Sequence, residues 1–356
     1  MPMPQQIKQA FRTISKIQVY NMENILDHLV EGKSLTQDQA YDFFSKVMAG
    51  DIPEALLGSV LTALKIKGES AEEIAGAAVA VRDFATKFPQ QEVPVADCVG
   101  TGGDGANTIN ISTTSAILAA ACGLKMAKHG NRSVSSMSGS ADLLEAFGVN
   151  LMMSPETASQ CIEQANVCFL YAPAYHPGFK YAGPVRKAMS IRTLFNVLGP
   201  LVNPAKPSVM LLGVYTPDLL ETIAQSVALT GVERAFIVHG SGLDEIAIHG
   251  ETQVIEIKHG QFIKRTISPQ DFGLDSYELA DIKGGTPQEN AAYSKAILAG
   301  KGKPAHNAAV IINTAALLYL HGNANSLEAA AKLAGEVLAS GAAEKTLSKL
   351  VEVSNG

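Results

Sequence analysis

The stretch VGTGGDGANTINIST, residues 99–113, decides how this 356-residue chain is read. It follows the strand-like run VPVADCV (93–99) and precedes the helical run TSAILAAACG (114–123). Glycines at 100, 102, 103 and 105 let a backbone approach an anion closely and aim N–H groups at it. Asn107, Thr108, Asn110, Ser112 and Thr113 add short polar groups at the start of the next helix, where the helix dipole favours negative charge. The spacing excludes two common phosphate loops. G-T-G-G-D-G is not the G-x-G-x-x-G of a dinucleotide fold, and no acidic residue closes the following strand LKMAKHG. No Gly-Lys-Ser/Thr follows either, so it is not a Walker loop.

Outward from this loop the grammar is apolar runs alternating with capped helical runs: LKMAKHG, SADLLEAFG, VNLMM, SPETASQCIEQA and VCFLYAP, then SVMLLGVYTP, a helix from Asp218, and ERAFIVHG. That rhythm predicts an α/β architecture with a central, mainly parallel sheet wrapped by helices, VNLMM among the strand-like runs. A hairpin is expected around EIKHGQFIKR and two or more helices at the C-terminus. Residues 1 to about 88 read differently. Helical periodicity runs through them with starts at Thr36-x-x-Gln39, Asp51 with Pro53, and Ser70-x-x-Glu73, and no strand-like run intervenes. Between His176 and Pro207 the strand signals stop again, and VRKAMSIRTLFNVLGPL (185–201) reads as helix interrupted near Gly199-Pro200. The expected organisation is a small all-helical domain, 1–88, completed by about 185–206, beside a larger α/β domain formed by 89–184 and 207–356.

Bulk composition narrows the function classes. The chain is 47% hydrophobic and 17% charged, with net charge −6 and no Lys/Arg-rich run, which argues for small-molecule partners and against nucleic acid or an anionic membrane. Its four cysteines, Cys98, Cys122, Cys161 and Cys168, form no C-x-x-C pair, so a zinc ribbon or disulfide framework is not indicated. Lys8, Arg12 and Lys16 are not followed by an apolar signal region, and the apolar run Ala116–Cys122 is far short of a membrane span. The expected location is cytoplasmic.

The second chemical signal is KHGNRSVSS, residues 128–136, at the end of the next strand-like run. In a parallel sheet the carboxyl ends of neighbouring strands face one crevice, so Lys128 is placed to reach an anion held by the glycine loop, with His129 and Asn131 lining the same mouth.

In order, GTGGDG, NTINIST, KHGNR, HPGFK, VRKAMSIRTLFNVLGPLVNP and GLDE resemble the anthranilate phosphoribosyltransferase family over nearly the whole chain. The resemblance implies a helical domain hinged to an α/β domain, phosphoribosyl pyrophosphate (PRPP) and Mg²⁺ in the cleft, anthranilate as acceptor, and a homodimer through the helical domain. It assigns PRPP to Gly100, Thr101, Gly102, Gly103, Asp104, Thr108, Asn110, Ser112, Thr113, Lys128 and Ser140. Magnesium falls to Ser112, Asp244 and Glu245, and adjacent hard oxygen donors suit that ion. Anthranilate falls to Gly100, His129, Asn131, His176 and Arg186. Arg186 offers a planar fork for a carboxylate that Lys187 cannot match. Lys128 and His129 carry the catalytic expectation, His129 as a positioning group or weak proton acceptor. The chain departs from the commoner family pattern at Met137, where lysine is frequent, and at Ser190, where glycine often precedes Ile-Arg-Thr; neither carries an assigned role.

By analogy with glycoside transfer, loss of pyrophosphate passes through an oxocarbenium-like state, and stabilising the leaving group is the largest task of the site. A pyrimidine-nucleoside phosphorylase is the rival enzyme, with GLDE and LFNVLGPL against it. A non-catalytic nucleic-acid-binding relative is the rival of another class, and it would lose the two acids and gain a basic face.

Overall fold

The structure, a computed structural model, describes residues 23–133 and 137–356. The sequence expectations for residues 1–22 and for Val134, Ser135 and Ser136 of the KHGNRSVSS motif lie outside the described residues.

Four helices open the described chain: α1 (Glu23–Val30), α2 (Gln37–Ala49), α3 (Glu54–Lys67) and α4 (Ala71–Asp83). The two capping boxes form as the sequence predicts, Thr36 with Gln39 and Ser70 with Glu73, and Pro53 precedes the first turn of α3. Glu73 does more than cap. Its buried carboxylate accepts from the N–H groups of Leu35 (2.8 Å) and Ser70 (2.7 Å) and from Lys67 Nζ (2.9 Å), tying three helix ends together. A Cβ at Gly76 would lie 2.2 Å from the Gln37 carbonyl, so glycine there lets α4 close onto α2.

The α/β part runs β1 (Ala96–Gly100), α5 (Ile111–Ala121), β2 (Met126–Gly130), α6 (Ser140–Phe147), α7 (Pro155–Ala165), β3 (Val167–Tyr171), α8 (Phe179–Met189), β4 (Val209–Gly213), α9 (Leu220–Leu229), β5 (Arg234–Gly240), β6 (Thr252–Lys258), β7 (Gln261–Ile267), α10 (Pro287–Leu298), α11 (Pro304–His321), α12 (Leu327–Ala339) and α13 (Ala342–Asn355). The seven strands form one sheet in the order β3-β2-β1-β4-β5-β6-β7, parallel across the first five and antiparallel at β5-β6-β7. The expected hairpin is β6-β7, turning at His259 (φ 48°) and Gly260 (φ 75°), two left-handed residues whose twist matches the strands.

Two sequence readings are corrected. VNLMM is not a strand: Val149 N–H returns to the Leu144 carbonyl as the C-terminal turn of α6, and Asn150 N–H donates to Ser354 Oγ of α13, so Val149, Leu151 and Met153 are buried without sheet pairing. The helix over 185–201 breaks at Ser190 (φ 52°) rather than at Gly199-Pro200, which continue a short Phe195–Leu198 turn as a 3-10 turn.

The core divides by sheet face. On β4, Val209 and Leu211 belong to the cluster under α5, α11 and α13, whereas Met210 and Leu212 join the cluster of α9 and the helical layer. Ala182 and Val185 of α8, with Leu194, Phe195 and Leu198, pack into that second cluster beside Phe44 and Leu61. The helical layer thus shares apolar packing with one face of the sheet.

Candidate active site

Glycine ends each of four parallel strands at the same edge: Gly100, Gly130, Gly213 and Gly240. The absence of side chains there admits the loop after β5. A Cβ at Gly213 would lie 1.6 Å from the Asp244 carbonyl oxygen, one at Gly100 2.3 Å from Asp244 Oδ2, and one at Gly240 2.2 Å from the Glu245 carbonyl. Asp244 and Glu245 are therefore seated across the ends of β1, β4 and β5.

The glycine loop closes on these acids through its backbone. Gly102, at φ 69°, donates its N–H to Asp244 Oδ2 (2.6 Å), and Ser112, in the first turn of α5, donates its N–H to Glu245 Oε1 (3.1 Å). Thr101 N–H donates to the Gly213 carbonyl (2.9 Å), and its Oγ1 accepts from Tyr215 N–H (3.1 Å). Among the described residues nothing accepts from the N–H groups of Gly103, Asp104 or Gly105. These are free donors at the mouth of the cleft, the arrangement that main-chain anion sites use. Burial pushes the Asp244 carboxyl above its ordinary range, with the nearby Asp104 charge adding to the effect. Glu245 moves the same way, first through burial and then through Asp244. Asp244 and Glu245 are thus neighbouring buried carboxylates at this strand edge, with Asp104 of the glycine loop close enough to act on Asp244.

Further along, Thr108 bridges to Lys283, and Ile109 N–H donates to the Ile282 carbonyl (3.0 Å). Asn110 is engaged on both sides of its amide: Nδ2 donates to the Ser138 carbonyl (3.0 Å) and Oδ1 accepts from Asn290 Nδ2 (2.9 Å). It links the glycine loop to the loop after β2. Asn131 is exposed beside it, and Ser140 opens α6 close to Gly130.

Lys128 does not reach the glycine loop in this structure. Its side chain is only 3% exposed, and Nζ donates to the Cys98 carbonyl (2.7 Å). The void between it and Thr113 is about 10 Å³, the lower limit for one water. Below it Asp97 is fully buried, accepts from Asn203 Nδ2 (2.8 Å), and has its carboxyl pushed by burial up to about 6, with the Lys128 charge opposing the shift. Among the described residues Thr113 Oγ1 is buried without a partner.

The other end of the cleft is built from rings. His129 Nε2 and His176 Nε2 lie 3.2 Å apart, both buried. Burial lowers His129 well below its ordinary value, with the His176 charge acting in the same direction, and burial lowers His176 to about 4. Edge contacts continue from His176 to Phe179, Phe179 to Phe195 and Phe195 to Phe44, carrying the path into the helical core. The half-buried Arg186 guanidinium lies 5.2 Å over the Phe195 ring and has no acidic partner among the described residues.

Sequence reasoning missed Arg192. Its Nη2 donates to the Gly103 carbonyl (3.0 Å), and its guanidinium lies 4.1 Å over the Tyr215 ring. It also missed Asp97, Asn203 and Asn290. The strand-terminal glycines were the available signal, because a parallel strand that repeatedly ends in glycine marks close backbone approach.

A profile described as the glycosyl transferase family, a/b domain, matches residues 92–344, and one for that family's helical bundle domain matches residues 23–85. Over 336 residues the chain is 71% identical to the anthranilate phosphoribosyltransferase of Colwellia psychrerythraea, covering 94% of this chain and 92% of the relative. The crystal structure of the Thermus thermophilus anthranilate phosphoribosyltransferase superposes with TM-score 0.89 at 39% identity, covering 93% of this chain and 99% of that one. The Saccharomyces cerevisiae enzyme, solved in complex with PRPP and Mg, superposes with TM-score 0.85 at 30% identity over 94% of this chain and 98% of that one.

Proposed function

This chain belongs to the anthranilate phosphoribosyltransferase family, and on that premise we propose how the cleft at its strand ends carries out the transfer. The reaction moves the 5-phosphoribosyl group of PRPP to the amine of anthranilate, giving N-(5-phosphoribosyl)anthranilate and pyrophosphate in tryptophan biosynthesis. The observation that carries the assignment is the row of amides at Gly103, Asp104 and Gly105, without acceptors among the described residues, in the loop that Gly102 ties to Asp244. It supplies donors for a diphosphate and carboxylates for its counter-ion.

The residues present fit Mg²⁺. Among the described residues no group of three or more His, Cys, Asp or Glu side chains forms a ligand cage. A cation here is held by one or two carboxylates and completed by phosphate oxygens and water, the habit of Mg²⁺. Asp244 and Glu245 are the holders, with Ser112 beside them. Bound there, the ion would neutralise charge developing on the departing pyrophosphate.

The protein's own steps follow from its donors. The amides of the glycine loop bind the diphosphate and strengthen their hydrogen bonds as the anomeric bond breaks. Thr108, Asn110, Thr113 and Ser140 border the remaining phosphoribosyl group, Asn110 by holding the two loops in register. Lys128 supplies a buried positive charge behind the loop and acts on the leaving group through space. Arg186 takes the anthranilate carboxylate. His129 and His176 stay neutral and wall the aromatic ring, with Gly100 and Asn131 at the mouth. An aromatic amine is weakly basic, so orienting it toward the anomeric carbon matters more than early deprotonation.

The homodimer belongs to this proposal, formed through the helical layer, where Val30 and Ile66 are strongly exposed apolar residues. So does the cytoplasmic setting. Sedimentation at micromolar concentration should give twice the mass of one chain. The reaction itself is tested by incubating the protein with PRPP, Mg²⁺ and anthranilate and measuring both products by mass spectrometry. Equimolar phosphoribosylanthranilate and pyrophosphate are expected, and formation of thymine and 2-deoxyribose 1-phosphate from thymidine and phosphate would transfer the assignment to a nucleoside phosphorylase.

A further inference from the structure

We infer that Arg192 is a positioning residue for the diphosphate-binding loop, holding the Gly103 peptide so that its amide side faces the cleft. The inference rests on the transfer reading above and adds a residue to it. Arg192 lies in the segment that follows α8, and its neighbours Leu194 and Phe195 are packed in the helical core. From there Nη2 donates to the Gly103 carbonyl at 3.0 Å. A trans peptide is planar, and its C=O and N–H point in opposite directions. Pinning the Gly103 carbonyl therefore turns the Asp104 N–H away from Arg192, and that N–H has no acceptor among the described residues.

Three further observations agree. Gly103 sits at φ 80°, where only glycine is relaxed, and a Cβ there would fall 1.7 Å from Arg192 Nη2, so loop and guanidinium are fitted to each other. The guanidinium lies over Tyr215, 4.1 Å from its ring centre, and the main chain of Tyr215 donates to Thr101 Oγ1 of the same loop. Arg192 has no carboxylate partner among the described residues, so its charge is uncompensated beside the place a diphosphate would occupy. Stacked and singly bonded, this side chain couples the shape of the loop to the position of the helical layer. A lysine would keep the charge but neither the fork nor the stack.

The test is calorimetric titration of pyrophosphate with Mg²⁺ into the full-length wild type, Arg192→Met and Arg192→Lys, beside the KM for each substrate. Loss of one charge-assisted bond predicts pyrophosphate affinity and the KM for PRPP about tenfold worse in Arg192→Met, partial recovery in Arg192→Lys, and an unchanged KM for anthranilate. Tyr215→Leu, which removes the platform without touching the loop, should weaken pyrophosphate binding in the same sense, and Tyr215→Phe should not. Thermal melts of each variant separate these effects from misfolding. Unchanged pyrophosphate affinity in both Arg192→Met and Tyr215→Leu, in a wild type that turns over, overturns the inference and leaves the transfer reading standing. A wild type that binds pyrophosphate without turnover, and loses that binding in Arg192→Met, does the reverse.

Discussion

The two ends of the cleft are made of different materials. At the glycine loop, recognition is written in the main chain: free amides, three strand ends without Cβ atoms, and a pair of acids brought in by the resulting close approach. At the His129 end side chains do the work through paired imidazoles, a run of phenyl rings and a guanidinium without an acidic partner among the described residues. The difference follows the ligands the two ends are proposed to take. A hydrated, multiply charged anion is matched by many small dipoles and a cation, whereas a flat aromatic acid needs apolar walls and one planar charge. It also predicts how each end fails.

The largest effect belongs to the anion end. Asp244→Asn combined with Glu245→Gln should lower kcat at least about a thousandfold, near 4 kcal/mol in the barrier, because the leaving group loses its cation. The checks are steady-state kinetics over a Mg²⁺ titration, and full activity at limiting Mg²⁺ would place the cation elsewhere. The anthranilate KM should stay near wild type, which is the comparison in kinetic form.

The next effect reads the ring end through stability. His176 is lowered from 6.5 to about 4 by burial, so in the fold it stays neutral while the unfolded chain takes up a proton. Its contribution is fully present above pH 6.5 and is lost as pH falls toward 4, about 3 kcal/mol at about 1.4 kcal/mol per decade. Urea unfolding at pH 7.5 and 5.0 should show a smaller acid loss in His176→Gln than in wild type. Equal losses would mean that His176 is not what acid attacks.

Arg186→Ala should raise the KM for anthranilate roughly ten- to a hundredfold, the value of a bidentate carboxylate pair, with kcat and the KM for PRPP nearly unchanged. Arg186→Lys should recover part of it. A raised KM for PRPP instead would move Arg186 to the anion end and erase the contrast between the two regions.

The smallest effect concerns the joint between them. Ser190 holds φ 52° at the break after α8, a conformation that favours glycine. Ser190→Gly should change stability by less than about 1 kcal/mol, since relieved strain is offset by the entropy glycine loses on folding, and both KM values should hold. A shift in either KM would show that the break sets the height of the helical layer over the cleft.

Both ends were legible in the sequence to unequal degrees. The strand-loop-helix order around residues 93–123, the capping boxes at Thr36 and Ser70, and the hairpin at His259-Gly260 are local signals, and the structure carries them as read. VNLMM misled because an apolar run covered by α13 has the composition of a buried strand. The inward turn of Lys128 was not legible, since whether a strand-end lysine emerges or lies beneath its neighbour depends on the carbonyl that accepts it, here that of Cys98. Arg192 was hidden for the same reason: its partner Gly103 lies 89 residues away in the chain, and no periodicity connects them. The helix that carries Arg186 was read from the sequence of 185–201, whereas the role of Arg186 toward a carboxylate rests on the resemblance alone.

The central claim is that one cleft joins these two ends around a single transfer, and anthranilate's own fluorescence tests it most directly. Purified protein mixed with PRPP, Mg²⁺ and anthranilate should remove that fluorescence steadily. The loss should stop when PRPP or Mg²⁺ is omitted and nearly stop in the Asp244→Asn/Glu245→Gln variant. Fluorescence that stays constant with all components present, or falls equally fast without PRPP, would contradict the account.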